Sequence, residues 1–199
     1  MYMRTATVDY TIYTYDELSD SAKWNAKQWY LDFFEQATAD DFTCFINESL
    51  NELFGDNDLH VQYSLCHCQG DGLNVYGSIG ADAIFKYADN STDERVRKYA
   101  DAMTSKDRFD IMAYANECGN IKIPKNRRDC YSELEWGGYK NINEDALIKL
   151  ENLVRYIFTD LCAEYEDCGY DLFYEISDED MSDICKDNGW EFTKCGELF

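Results

Sequence analysis

Proline is nearly missing from this chain, with Pro124 alone in 199 residues, and imidazole is almost as scarce, limited to His60 and His67. Neither histidine lies in a G-x-S-x-G or Cys-His setting, so the usual nucleophile constellations are excluded. Cationic side chains are also few. Eighteen Lys and Arg face 40 Asp and Glu, for a formal net charge of -22. Such an excess repels DNA, RNA and anionic lipid alike and excludes direct non-specific binding to them. No apolar run approaches the roughly 18 residues that cross a bilayer, and Met1-Tyr2-Met3-Arg4-Thr5 lacks the apolar core of a signal peptide. The expectation is a cytoplasmic protein with no membrane partner. No long linker, repeat or low-complexity block interrupts the chain.

What is present is enough for a packed core. Apolar residues make up 45% of the chain, with four Trp, sixteen Tyr and eleven Phe, which is too rich for an acidic disordered tail. A chain of this length buries roughly 70% of its unfolded surface in one core. Nine cysteines at irregular spacing, Cys44 and Cys162 among them within helix-like runs, read as reduced, buried thiols and not as a disulfide framework.

Along the chain, Thr5–Tyr13 is β-branched and aromatic and predicts a strand. Turn and cap chemistry at Tyr15–Asp20 opens a helix to about residue 37, with Ala22, Ala26, Trp29, Phe33 and Ala37 on its apolar side. Phe42, Phe45, Ile46, Ser49, Leu53 and Phe54 predict a second helix ended by Gly55, the two forming a helical hairpin. His60–Cys68 and Leu73–Tyr76 read as strands around the loop Gln69-Gly70-Asp71-Gly72. Residues 81–103 read as helix in two pieces split near Asp89-Asn90-Ser91. Arg108–Ala115 reads either as a strand paired with Asn120–Ile123 or as helix. Leu147, Leu150, Val154, Ile157, Leu161 and Tyr165 predict a helix of about twenty residues interrupted at Gly169. Ser177–Asp180 opens a short helix that Asn188-Gly189 closes, and Trp190–Thr193 with Glu197–Phe199 forms a terminal hairpin. The expected fold class is α+β: one domain, residues 1–199, with a small antiparallel sheet packed against several helices.

Candidate chemistry is thin. Cys66-His67-Cys68 with His60 has zinc-like composition, but strand alternation sets His67 on the face opposite the others and no second C-x-x-C pair follows. Gln69-Gly70-Asp71-Gly72 has neither the Lys nor the following helix of a phosphate loop, so its glycines serve a tight turn and Asp71 bonds its own loop. Asp56-Asn57-Asp58 lacks the glycine and the twelfth-position Glu of a calcium loop. Carboxylates are too abundant to single out an acid–base pair. No catalytic residue, metal site or cofactor is expected.

Charge is distributed unevenly. Residues 1–94 sum to -13, residues 95–128 to +5 and residues 129–199 to -14. Residues 160–187 hold eleven Asp or Glu against Lys186 alone. The plain reading is a solvated face, yet -22 exceeds the magnitude of roughly 2 to 8 that solubility asks of a small domain. Glu164, Glu166, Asp167, Asp171, Glu175, Asp178, Glu179 and Asp180, interleaved with aromatics, are the candidate partner-binding face, a copy of nucleic-acid backbone charge that docks on Arg and Lys. Arg95, Arg97, Lys98, Arg127 and Arg128, within the basic stretch, are candidate contacts to RNA or to an acidic partner surface, with internal pairing as the alternative.

Three stretches resemble a family of small acidic proteins of bacteriophages and prophages: Tyr13-Thr14-Tyr15-Asp16-Glu17-Leu18-Ser19-Asp20-Ser21-Ala22-Lys23 with Ala26 and Tyr30; Tyr63-Ser64-Leu65 leading to Gln69-Gly70-Asp71-Gly72; and the ending Asn188–Phe199. Together they cover about a fifth of the chain. The sequence departs from the family's pattern at Cys66 and Cys68, where similar proteins carry small residues, and at Cys195, which replaces an acidic turn residue. Some similar phage proteins are anti-CRISPRs that block type II effector nucleases at the DNA-binding surface or through the guide RNA. The resemblance therefore implies a non-enzymatic inhibitor in the bacterial host cell, whose partner is a CRISPR effector nuclease or its guide-RNA complex. A hydrolase of nucleic acid or nucleotides, and an antitoxin or phage regulatory adaptor, are the alternatives.

Overall fold

The computed structural model describes residues 11–55, 57–125 and 143–199. The chain divides into two compact units, residues 1–40 with 170–199, and residues 41–169. The expected strand at Thr5–Tyr13 falls largely outside the described residues.

Helix α1, Asp20–Phe54, contributes to both units. The Ser19 hydroxyl accepts from the Ala22 amide at its start, and the Gly55 amide donates back to the Asn51 carbonyl at 2.8 Å at its end. The expected helical hairpin is therefore one helix of 35 residues. Between Ala26 and Phe42 no side chain is fully buried, and the apolar stripe lapses after Ala37. Thr38-Ala39-Asp40-Asp41 holds neither glycine nor proline to stop the helix. A fading stripe marks exposure, not a turn.

In the unit of residues 41–169, β1 (Asp58–Ser64), β2 (Gly72–Ile79) and β3 (Ile121–Ile123) form an antiparallel sheet in that order. Val61 lies opposite Val75, and Gly77 opposite Ile123. The expected hairpin is present, but β1 ends at Ser64, so Cys66, His67 and Cys68 are turn residues and strand alternation does not apply to them. Asp71 organises the turn: one carboxylate oxygen accepts from the amides of Cys66 at 2.7 Å and Cys68 at 2.8 Å.

Helices α2 (Ala81–Asn90) and α3 (Glu94–Asp101) split where expected, and Asp93 caps α3 by accepting from the Arg95 amide. Residues 105–118 form α4 (Ser105–Cys118), so the helical alternative holds and β3 pairs with β2 instead. Thr104 and Asp107 cap α4 reciprocally, each side chain accepting from the other's amide. Asp107 is buried and Lys149 reaches it at 3.0 Å.

Helix α5, Glu144–Tyr174, lays Leu150, Val154, Ile157, Phe158 and Leu161 into the core, and Phe158 stacks on Phe54 at 5.4 Å. It runs straight through Gly169, where an interruption is expected from sequence. The glycine serves close approach: a Cβ there would collide with the Leu65 side chain and stand 2.9 Å from the Phe42 ring.

In the other unit, a 3-10 turn at Tyr15–Glu17 leads into the start of α1, and α6 (Asp178–Asn188) is capped by Ser177 and closed by Gly189, as expected. Tyr15, Leu18, Ala22, Ala26, Met181, Cys185 and Phe192 form its core. Phe192 exchanges backbone hydrogen bonds with Tyr13, and Thr193 and Phe199 close the terminal hairpin onto Glu197 and Glu191. Six helices and a three-stranded antiparallel sheet among the described residues make the fold α+β.

Gly169→Ala gains about 1 kcal/mol of helix propensity but overpacks the contact with Leu65 and Phe42, which costs roughly 1–3 kcal/mol. Urea denaturation should show a net loss of stability, larger again for Gly169→Val.

Candidate partner-binding surface

The eight carboxylates of the expected acidic face do not all do the same thing. Glu164, Glu166 and Asp167 lie on α5 within the unit of residues 41–169. Glu164 and Asp167 are exposed and Glu166 is half-buried. The other five belong to the second unit: Asp171 near the end of α5, Glu175 between the helices, and Asp178, Glu179 and Asp180 in the first turn of α6.

Two of these five have partners inside the fold. Asp178 accepts the Tyr15 hydroxyl at 2.9 Å and pairs with Lys27 at 2.6 Å. Lys27 first and Tyr15 second hold its carboxyl below the usual value. Asp180 accepts the Ser177 hydroxyl at 2.6 Å while its own amide donates to that hydroxyl, closing the cap of α6. Carboxylates in that first turn also complement the helix dipole. Asp171, Glu175 and Glu179 remain as exposed carboxylates directed to no cation within 4 Å among the described ion pairs.

Asp187 belongs with them, and Asp183, which shares Lys186, is exposed beside it, although the expected face includes neither. With Glu179 they recur every four residues along α6, all three exposed, at about 6 Å of axial rise per step. The spacing is visible in sequence, but carboxylates at the helix start draw attention toward the cap. Lys186, the one cation of residues 160–187, is engaged by Asp16 at 3.2 Å and Asp183 at 3.7 Å. The Ser182 hydroxyl first, and Lys186 second, hold the Asp16 carboxyl low. Across the described residues of this unit fifteen Asp and Glu face four Lys.

Two arginines of the basic stretch are engaged within their own unit. Arg95 sits 5.1 Å above the Tyr156 ring and lies 3.7 Å from Asp93 and 3.8 Å from Asp160. Arg108 Nη1 donates to both oxygens of Asp89 at 2.8 and 2.9 Å, and the guanidinium covers the Phe85 ring at 5.1 Å. Arg97 and Lys98 are exposed on α3, bordering a shallow depression with Glu94 and Asp101. Arg127 and Arg128 lie outside the described residues.

Among the described residues no three His, Cys, Asp or Glu side chains converge as a metal would require. Cys68 donates its thiol to Asp71 at 3.1 Å, and His60 faces Asp58 at 3.3 Å. The expectation of buried thiols holds for Cys162 and for Cys185, which burial pushes up to about 11. It fails for Cys44, Cys66, Cys68, Cys168 and Cys195, all exposed: Cys66, Cys68 and Cys195 lie in turns, and Cys44 and Cys168 on the outer faces of their helices.

The second feature that sequence does not disclose is aromatic. Trp29 and Phe33, expected on the apolar side of the first helix, instead form an outer stack in which Phe33 is 68% exposed. No known protein family, curated protein or solved structure matches the chain. Among the described residues no helix is long and apolar enough to cross a membrane.

Tyr15→Phe removes the hydrogen bond to Asp178 and should cost about 1–2 kcal/mol at neutral pH. Because the Asp178 carboxyl titrates below its ordinary 3.8 in the fold, its contribution is present above about pH 4 and is lost as pH falls through the folded value. Burial raises the Tyr15 hydroxyl above its ordinary 10.0, so its contribution is present below about pH 10 and is lost as pH rises beyond it. Denaturation of the two proteins across pH should show the gap widest at neutrality and shrinking at both ends.

Proposed function

We propose that the protein is a phage-encoded inhibitor of a host defence system, an anti-CRISPR protein that binds a type II RNA-guided nuclease. The surface that binds is the carboxylate-rich one of the unit formed by residues 1–40 and 170–199. The observation that carries this reading is the exposed stripe Glu179, Asp183 and Asp187 on α6, joined by Asp171 and Glu175, in a unit whose lysines are mostly engaged by its own side chains. Effectors of this class hold their RNA–DNA heteroduplex in a positively charged channel and read it by its backbone, not by its bases. A folded surface of fixed carboxylates competes for the same Arg and Lys without being cut. The three stretches that resemble phage proteins supply the class of host system, and the charge supplies the means.

Complementary charge acts mainly on the encounter rate. The variant Asp171→Asn, Glu175→Gln, Glu179→Gln, Asp183→Asn, Asp187→Asn leaves Asp178 and Asp180 to hold the fold. Mixed with purified guide-loaded effector, it should associate at least about tenfold more slowly at low salt and show a flatter salt dependence. DNA cleavage should escape inhibition accordingly. Unchanged association and inhibition by this variant would overturn the reading.

A further inference from the structure

The segment after α6 carries Trp190 against α1, where Trp29 meets it edge-on at 5.3 Å, Phe34 stacks on it at 6.2 Å and Tyr30 lies tilted at 6.2 Å. These four rings are half-buried and explain one another. Phe33 is different. It extends the cluster outward, stacked on Trp29 at 5.5 Å with 23° between planes and edge-on to Phe34 at 5.0 Å, yet is 68% exposed. A large ring held in place by its neighbours but left in water lacks the stabilisation of burial, and such exposed apolar groups mark interaction sites.

The charge around it limits what the ring can meet. Asp32 precedes Phe33 and Glu191 follows Trp190, both exposed; Asp40, two turns further on the same side of α1, is exposed too, adds to the local charge and accepts from the Gln36 side chain at 3.0 Å. Of this unit's four lysines, Lys27 is paired with Asp178, Lys186 with Asp16, and Lys23 lies over the Tyr15 ring at 5.2 Å, while Lys194 is exposed outside the described ion pairs and is far outnumbered by the unit's carboxylates. A nucleic-acid base would stack on the ring, but its phosphates are repelled. A second copy of the chain brings the same charge and is repelled as well. A guanidinium satisfies both features at once, lying flat on an aromatic face while its N–H groups fork onto a carboxylate. The chain itself contains a related arrangement, with the Arg108 guanidinium over Phe85 and its Nη1 shared between both oxygens of Asp89.

We propose that the Phe33–Trp29 stack is a docking point for an arginine presented by a basic protein surface, with the guanidinium on the ring and the neighbouring carboxylates as its acceptors. The proposal rests on the nuclease-inhibitor reading only in taking the partner to be basic; the identity of the nuclease does not enter. It makes arginine, not positive charge in general, the feature recognised, since an ammonium is more strongly hydrated and cannot stack.

The test uses the full chain, titrated at physiological ionic strength with oligoarginine and oligolysine peptides of equal length and followed by tryptophan fluorescence and calorimetry. Oligoarginine should bind about three- to thirtyfold more tightly than oligolysine. Phe33→Ala should erase that preference by weakening only the arginine peptide, and Phe33→Tyr, which keeps the ring, should retain it. The five-carboxylate variant should weaken both peptides alike. Equal affinity for the two peptides, or a preference that survives Phe33→Ala, overturns the docking point. So does a concentration-dependent dimer abolished by Phe33→Ala, which would assign the ring to a second copy. Arginine preference without nuclease binding leaves this docking point standing and removes the nuclease; nuclease binding without arginine preference does the reverse.

Discussion

Scarcity of positive charge constrains this molecule throughout. With 18 cations for 40 carboxylates, each Lys or Arg placed against one acid leaves others unpaired, and three lysines join chain segments distant in sequence. Lys27 ties α1 to the first turn of α6 through Asp178, Lys186 ties α6 to the 3-10 turn through Asp16, and Lys149 reaches from α5 to the buried cap of α4 at Asp107. Exposed pairs of this sort each contribute little, but the carboxylates they use are removed from the outward field. The stripe on α6 is what remains. Asp183 shares a lysine with Asp16, whereas Glu179, Asp171 and Glu175 lie beyond the reach of the unit's described ion pairs.

The same shortage explains the middle of the chain. A stretch with a local charge of +5 reads in sequence as a second contact surface. In the fold, Arg108 and Arg95 meet carboxylates and rings that the sequence places far from them, Asp89 and Phe85 for one, Asp160 and Tyr156 for the other. A local excess of one sign is a partition of the chain, and folding mixes the partitions. The acidic end keeps its charge because eleven carboxylates crowd two helices with a single lysine among them.

Elements with strong local chemistry are legible in the sequence: α6 between Ser177 and Gly189, the β1–β2 hairpin, the division of α2 from α3, and the heptad-like core stripe of α5. What cannot be read there is set by tertiary contact. Gly169 looks like a helix breaker until Leu65 and Phe42 are packed against it, when it becomes the only residue that fits. The region between Ala37 and Phe42 looks like a helix end because the two apolar stripes do not join there, although nothing in its backbone stops the helix. Cys66 and Cys68 look like strand residues because alternation cannot see that Asp71 gathers their amides into a turn. For the acidic end, sequence shows where carboxylates are dense but not which of them are occupied, since Tyr15 and Lys27, which engage Asp178, lie near the opposite end of the chain.

Phe33 exposes the limit of reading periodicity as burial, and it bears on how a polyanionic surface selects a partner. Trp29, Phe33 and Ala37 recur as a core stripe would, but the helix face they share is only half covered, and the outermost ring is left in water. A field of carboxylates attracts every basic protein in a cell, because Coulomb attraction at a Debye length of about 8 Å does not distinguish lysine from arginine or one basic surface from another. Discrimination requires a contact that works only at short range and only for one geometry. Long-range charge would then set how fast a partner arrives, and a stacked guanidinium would set which partner stays. The Phe33–Trp29 stack is already ordered by its neighbours, so it meets an incoming side chain without the entropy cost of being fixed first.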